Sequence, residues 1–164
     1  MIAQPRIVEL FRLDLEEGRI FWRLPPKNHA RLLGSEAGCA RVSASGKAYW
    51  HVKIDGRAYK RANLIFCAVY GRWPSPLCDH KDGDSLNDRP GNLREATVLQ
   101  NAWNHKHRAR RIDLPMGVRH MASGRFEARI GHCGKQVHLG AYDTPQQAAE
   151  IYAAKRKELF GEYA

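Results

Sequence analysis

The stretch SGKAYWHVKIDGRAYK, residues 45–60, restricts the fold more than any other part of the chain. Tyr49, His51 and Lys53 alternate with Trp50, Val52 and Ile54, which sends polar and apolar side chains to opposite faces of a strand. Asp55-Gly56 then supplies the positive φ angles that a two-residue hairpin turn needs. The spacing predicts an antiparallel hairpin with one apolar face, and such a face must be covered. The next run, RANLIFCAVYG (61–71), predicts a helix that stops at Gly71, with Pro74 just beyond it.

The remaining punctuation divides the chain. Residues 6–14 alternate like a short amphipathic helix, and EEGRIFWRLP predicts a turn and a strand, Ile20 to Leu24, stopped by Pro25-Pro26. KNHARLLGSEAG reads as loop and SPLCDH as a short extended segment. KDGDSLNDRPGN (81–92) is turn chemistry throughout, and a helix is expected from near Thr97 to about Arg108. After a charged segment ending at Pro115, MGVRH, GRFEARI and KQVHLGAY predict three strands, and TPQQAAEIYAAKRKELFG a helix. Thr144 is placed as its N-cap, Pro145 at the first helical position, Gln147 in a capping box and Gly161 at the end. The expected organisation is a first domain over 1–104 with its core at 77–104, a basic linker over 105–114 and a second domain over 115–164. The class is α+β.

With 164 residues the chain can hold one medium domain or two small ones. The net charge of +10 points to a polyanionic partner, because cationic surfaces release the counterions of nucleic acid on binding. The excess lies early: residues 1–60 carry 11 basic against 6 acidic side chains, 61–111 carry 9 against 5, and 112–164 carry 7 against 6. Cys39, Cys67, Cys78 and Cys133 form no close pairs, so neither a zinc site nor a disulfide framework is expected. No apolar run of about 18 residues predicts a membrane span, and the first residues do not read as a signal peptide. The expected setting is the cytoplasm of a bacterial or phage-infected cell.

The segment from Cys78 to Arg111 carries the chemistry. Asp79 offers a charged oxygen and Asn101 a neutral one, the donors that a hard divalent cation takes alongside water and phosphate. His80 follows Asp79 on the strand and points to the other face; an imidazole is the natural base for deprotonating water near neutral pH. Asn92 closes the polar loop and can hydrogen-bond across it. Asp82, Asp84, Asn87 and Asp88 read as residues that shape the loop. NHKHRARR adds a basic run that could lie along a phosphate backbone through Lys106, Arg108, Arg110 and Arg111.

Asp79-His80, GDSLNDRPGNLR and LQN together resemble the HNH homing-endonuclease family of phages and prophages, over roughly residues 10–105, with GRIFWR, GKAYWHVKIDGRAYK and VYGRWP also similar to its members. The resemblance implies a strand–loop–helix (ββα-metal) nuclease domain that cuts double-stranded DNA. His80 and Asn92 would be its catalytic residues, as general base and structural organiser. Asp79 and Asn101 would hold one divalent ion, Mg²⁺ with Mn²⁺ as a substitute. Such proteins usually carry a His-Arg pair before YGRWP, where this chain has Ala62-Asn63; Arg61 is the candidate to replace the missing DNA contact.

Beyond the linker, GVR, G-x-x-x-A-x-I, LG and T-x-x-x-A-A-x-x-Y, from Gly117 to Tyr152, resemble the DNA-binding domain of plant ethylene-response factors. The resemblance implies a three-stranded antiparallel sheet packed on one helix. Arg119, Arg125, Arg129 and His138 would face the duplex. Gln136 and His138 stand where the plant proteins have arginine and tryptophan, so their target sequence does not transfer. The expected partner is double-stranded DNA, with no membrane and no protein partner, the chain being a monomer or weak dimer. The competing reading is a cleavage-deficient DNA-binding regulator or accessory protein of phage origin.

Overall fold

The computed structural model describes residues 2–44, 46–104 and 114–164. The chain divides into two compact units, Met1–Leu99 and Gln100–Ala164. Both mix helices with small antiparallel sheets. The expected basic residues Lys106, Arg108, Arg110 and Arg111 lie outside the described residues. Among the described residues no helix is long and apolar enough to cross a membrane.

In the first unit, α1 (Gln4–Leu10) is shorter than expected, because the chain turns to strand at Phe11. β1 (Phe11–Asp14) pairs antiparallel with β2 (Arg19–Trp22), placing Phe11 opposite Trp22 and Arg12 opposite Phe21. The Phe11 and Trp22 rings lie 4.7 Å apart, and the Arg12 guanidinium stacks 4.3 Å from the Phe21 ring. These cross-strand pairs override the helical spacing of residues 11–14, since each buries an aromatic surface that an isolated helix would leave wet.

β3 (Cys39–Val42), β4 (Ala48–Ile54) and β5 (Arg57–Lys60) form a three-stranded sheet in that order. The predicted hairpin is β4–β5, with Asp55 at φ 47° and Gly56 at φ 80°, the left-handed pair that a two-residue turn requires. α2 (Arg61–Tyr70) follows directly, ends on left-handed Gly71, and buries Leu64, Ile65, Phe66 and Cys67 against the sheets. β6 (Leu77–His80) pairs with β7 (Leu93–Ala96), and α3 (Val98–Trp103) comes next. The residue pattern predicts neither β3 nor β7, and only the ββα resemblance implies a second strand beside β6.

In the second unit β8 (Val118–His120), β9 (Phe126–His132) and β10 (Lys135–Tyr142) pair antiparallel in the order β10-β9-β8. α4 (Pro145–Phe160) covers the sheet, packing its Ala148 against Val118 and Ala128. The Thr144 hydroxyl accepts from the Gln147 N–H at 3.2 Å, and Gly161 closes the helix. Cys133-Gly134, with φ of 49° and 74°, makes the β9–β10 turn in the same left-handed way as Asp55-Gly56.

Candidate active site

The register of β6 and β7 sets the geometry. Asp79 faces Arg94 and His80 faces Leu93, so the two residues leave the strand in opposite directions. Leu93 belongs to the hydrophobic core, which draws its cross-strand neighbour His80 inward as well. Both site residues are buried, Asp79 at 5 % and His80 at 7 % exposure. Charged or polar groups at that depth need partners.

Asp79 Oδ2 accepts a hydrogen bond from Arg94 Nε at 3.0 Å, a buried ion pair across the hairpin. His80 Nε2 lies 2.8 Å from Oδ1 of Asp88, which is only 1 % exposed. Asp88 Oδ2 in turn accepts from Arg61 Nε at 2.6 Å. Arg61 spends its remaining nitrogens on Glu36 Oε1 at 2.8 Å and the Leu86 carbonyl at 3.0 Å. Its guanidinium lies 4.6 Å from the Trp50 ring centre, and Trp50 donates to the Ala37 carbonyl at 2.8 Å. A continuous chain therefore runs Glu36–Arg61–Asp88–His80, half-buried at Glu36 and buried from Arg61 onward.

This corrects two expectations. Arg61 was to reach DNA, but at 4 % exposure, with its donors committed inside the fold, it presents no face to a duplex. Asp88 was to shape the loop with Asp82 and Asp84; it is instead the buried partner of the site histidine. Neither pairing has a local signature: Arg61 and Asp88 are 27 positions apart and His80 and Asp88 are 8.

Asn92 closes the loop between β6 and β7. Asn92 Nδ2 donates to Asp82 Oδ1 at 3.0 Å and to the Asn87 carbonyl at 2.7 Å, and its Oδ1 accepts from the Asp82 N–H at 3.1 Å. Asn87 Nδ2 adds a bond to Asp82 Oδ2 at 2.7 Å. Burial pushes the Asp82 carboxyl up, but these bonds, with the Asp84 N–H and nearby His80, bring it below the usual carboxylate range. The stability it lends is present above the ordinary aspartate pKa and is lost as pH falls through the lowered value.

The β1–β2 turn holds the loop from outside. Arg89 donates to the Glu16 carbonyl at 2.5 Å and to Glu17 Oε1 at 3.0 Å. Gly18, at φ 65°, packs so closely that a Cβ there would fall 2.5 Å from the backbone of Asp88 and Arg89. Cys78 is no nucleophile: burial, helped by Asp88, Asp79 and Glu95 against Lys60, pushes its thiol up to about 12.

Asn101 is half-buried in α3 and falls in the second unit. On the outer sheet face of that unit, Glu127 gathers two arginines and a histidine. His138 Nδ1 is 2.8 Å from its Oε1, Arg129 Nε 3.7 Å from the same oxygen, and Arg119 Nε 3.9 Å from Oε2. Arg125 binds Asp143 Oδ1 at 3.0 Å and the Ala141 carbonyl at 2.6 Å.

One cationic surface has no counterpart among the sequence expectations. Pairing of β3 with β4 and β4 with β5 brings Arg41, Tyr49, His51, Lys53 and Lys60 to the outer face of the first unit's sheet, with Lys60 Nζ 3.9 Å above the Tyr49 ring. The alternation of Tyr49, His51 and Lys53 is the signal available in the sequence. It has no consequence until β3 is known to lie beside it.

Residues 59–103, which span α2, β6, the loop, β7 and α3, match the family model described as HNH endonuclease. The chain is 31 % identical over 121 residues to an uncharacterized HNH endonuclease of Acanthamoeba polyphaga mimivirus, covering 73 % of this chain and 63 % of that protein. It is 32 % identical over 114 residues to Protein 3.8 of Escherichia phage T7, covering 66 % of this chain and 90 % of that protein. The chain thus spans less than two thirds of the mimivirus relative. No solved structure gives a significant match.

Proposed function

The chain belongs to the HNH endonuclease family, and from that premise we propose that it hydrolyses phosphodiester bonds of double-stranded DNA, by nicking or cleavage, with a divalent ion. The observation that carries the reading is the placement of Asp79 and His80 at the end of β6, each buried and held by a charged partner, beside a loop pinned by Asn92. Catalytic groups need to be held in place before substrate arrives, and buried charge-assisted bonds do this.

Asp79 fits a hard cation through its carboxylate oxygen Oδ1, the other oxygen, Oδ2, accepting from Arg94. The assignment of Asn101 as a second oxygen donor rests on its position in the sequence. When bound, Mg²⁺ supplies Lewis-acid polarisation of the scissile phosphate and stabilises the leaving 3′ oxygen. His80 takes the proton of the attacking water, and Asn92 keeps the loop closed beside it. The products are 5′-phosphate and 3′-hydroxyl ends. Residues 1–104 are the proposed nuclease, 105–114 a basic linker and 115–164 a DNA-docking domain of the ethylene-response-factor type, tethered so that two weak binding surfaces reinforce each other.

The purified chain, incubated with supercoiled plasmid and Mg²⁺, is expected to yield open circles or linear DNA, and EDTA to abolish this. A second reading, a DNA-binding protein that does not cut, is favoured by the Asp79–Arg94 pair, which commits one carboxylate oxygen, and by Ala62-Asn63. Plasmid left supercoiled under every divalent metal tested, with binding intact, would select it.

Both readings require DNA contact, and the outer face of β3–β5 is one proposed surface. The double substitution Lys53→Glu and Lys60→Glu is expected to weaken binding to duplexes of any sequence. It should also lower the slope of log K against log salt by about 1 for each phosphate that a lysine no longer neutralises. Fluorescence anisotropy across a salt series measures this. An unchanged slope would place the duplex elsewhere.

A further inference from the structure

We infer that Asp88 is the positioning residue that sets the tautomer of His80, with Arg61 holding Asp88 in the orientation required; the inference builds on the nuclease reading. The geometry permits one arrangement of hydrogens. Asp88 presents Oδ2 to Arg61 Nε at 2.6 Å and Oδ1 to His80 Nε2 at 2.8 Å. The guanidinium is a donor with no acceptor capacity, so Oδ2 accepts from it. An ionised carboxylate has only lone pairs to offer, so Oδ1 accepts too, and His80 must carry its hydrogen on Nε2. The lone pair that can take a proton is then on Nδ1.

In the reaction, a proton passes from the attacking water to His80 Nδ1 as the water oxygen bonds to phosphorus. The bond from phosphorus to the 3′ oxygen breaks, and that oxygen is protonated by solvent water. His80 is left as imidazolium, its Nε2–H still on Asp88, and returns its new proton to solvent. Asp88 keeps its charge throughout and never touches the DNA. Burial at 1 % exposure keeps water from competing for the bond to Nε2.

Two features set this apart from simple loop bracing. The loop is already closed by Asn92, Asp82 and Asn87 without Asp88. And Arg61 reaches Asp88 from α2, outside the loop, with Glu36 and Trp50 fixing the guanidinium from behind.

Asp88→Asn is the discriminating variant, because it preserves shape and inverts one donor. Arg61 still demands the amide oxygen, which leaves the amide NH₂ facing His80 Nε2 and drives the hydrogen to Nδ1. Nitrogen-15 correlation spectra of the full chain, with the His80 resonances assigned by comparison with His80→Gln, are expected to show the Nε2–H tautomer in the parent and Nδ1–H in D88N. Single-turnover nicking by D88N is expected to fall roughly 10³- to 10⁴-fold, as when the orienting carboxylate of a serine-protease triad is made an amide. DNA affinity should stay within about threefold, since Asp88 does not meet the duplex. An Nδ1–H tautomer in the parent would overturn the assignment, as would a folded D88N that cuts at the parental rate. If D88N does not fold, the parent's tautomer decides alone. If the parent does not cut DNA, the nuclease reading fails, and the spectra still decide whether Asp88 sets the tautomer.

Discussion

His80→Ala is expected to lower the rate of plasmid nicking by about 10²- to 10⁴-fold, the usual loss when a general base is removed from a hydrolytic site, while the chain is expected to stay folded and to bind DNA as before. The size follows from the role. Water is a poor nucleophile near neutral pH, and the proposed base is the imidazole buried at the end of β6. The variant removes that base and also leaves Asp88 without one of its two partners. Arg61 continues to hold Asp88 at 2.6 Å, so the loop keeps its anchor, and the melting temperature is expected to fall less than the rate does. Anisotropy with a short duplex and a single-turnover nicking assay separate binding from chemistry. A parental rate in this variant would remove His80 from the mechanism.

Arg61→Ala acts on the fold itself. Arg61 is buried and neutralises two carboxylates, Asp88 and Glu36, of which Asp88 is the deeper. Removing one partner of a buried ion pair leaves an uncompensated charge, at a cost of about 3–5 kcal/mol. For a unit of this size that corresponds to a melting temperature lower by more than about 10 °C. The same change vacates the space beneath Trp50 and releases Asp88 from His80, so nicking falls even where the chain remains folded. Combining Arg61→Met with Asp88→Asn should cost less than the two single changes added together, because each already breaks the ion pair that the other breaks. Thermal denaturation followed by circular dichroism tests both statements. Strict additivity would mean that the two residues stand independently.

How far the sequence reveals this arrangement depends on distance along the chain. The hairpin 48–60, the helix after it, the strand ending at His80 and the C-terminal sheet and helix are legible, because each is encoded by short-range spacing and turn chemistry. β1 reads as helix since four residues fit either period, and Trp22 and Phe21, which decide it, lie across a turn. β3 and β7 are also four residues long and show their alternation only against a partner. Among the proposed site residues, Asp79, His80 and Asn92 stand out by type and spacing. Asp88 is not, because an aspartate between Asn87 and Arg89 looks like turn chemistry, and only the approach of α2 makes it a buried acceptor. Arg61 reads as a DNA contact for the same reason: a sequence shows charge but not which way the charge faces.

The central claim is that the end of β6 forms a phosphodiesterase centre in which Asp79 holds the divalent ion. Its most direct test is the single-turnover nicking rate of the parent chain and of Asp79→Asn across a series of Mg²⁺ concentrations. Asparagine keeps the size of Asp79 and can still accept from Arg94 Nε, but it removes one charge of a buried ion pair, so circular dichroism must first show that the variant is folded at the assay temperature. The parent rate should rise with Mg²⁺ to a plateau, and the variant should need far more Mg²⁺ and plateau much lower. Superimposable curves for the two proteins would contradict the account.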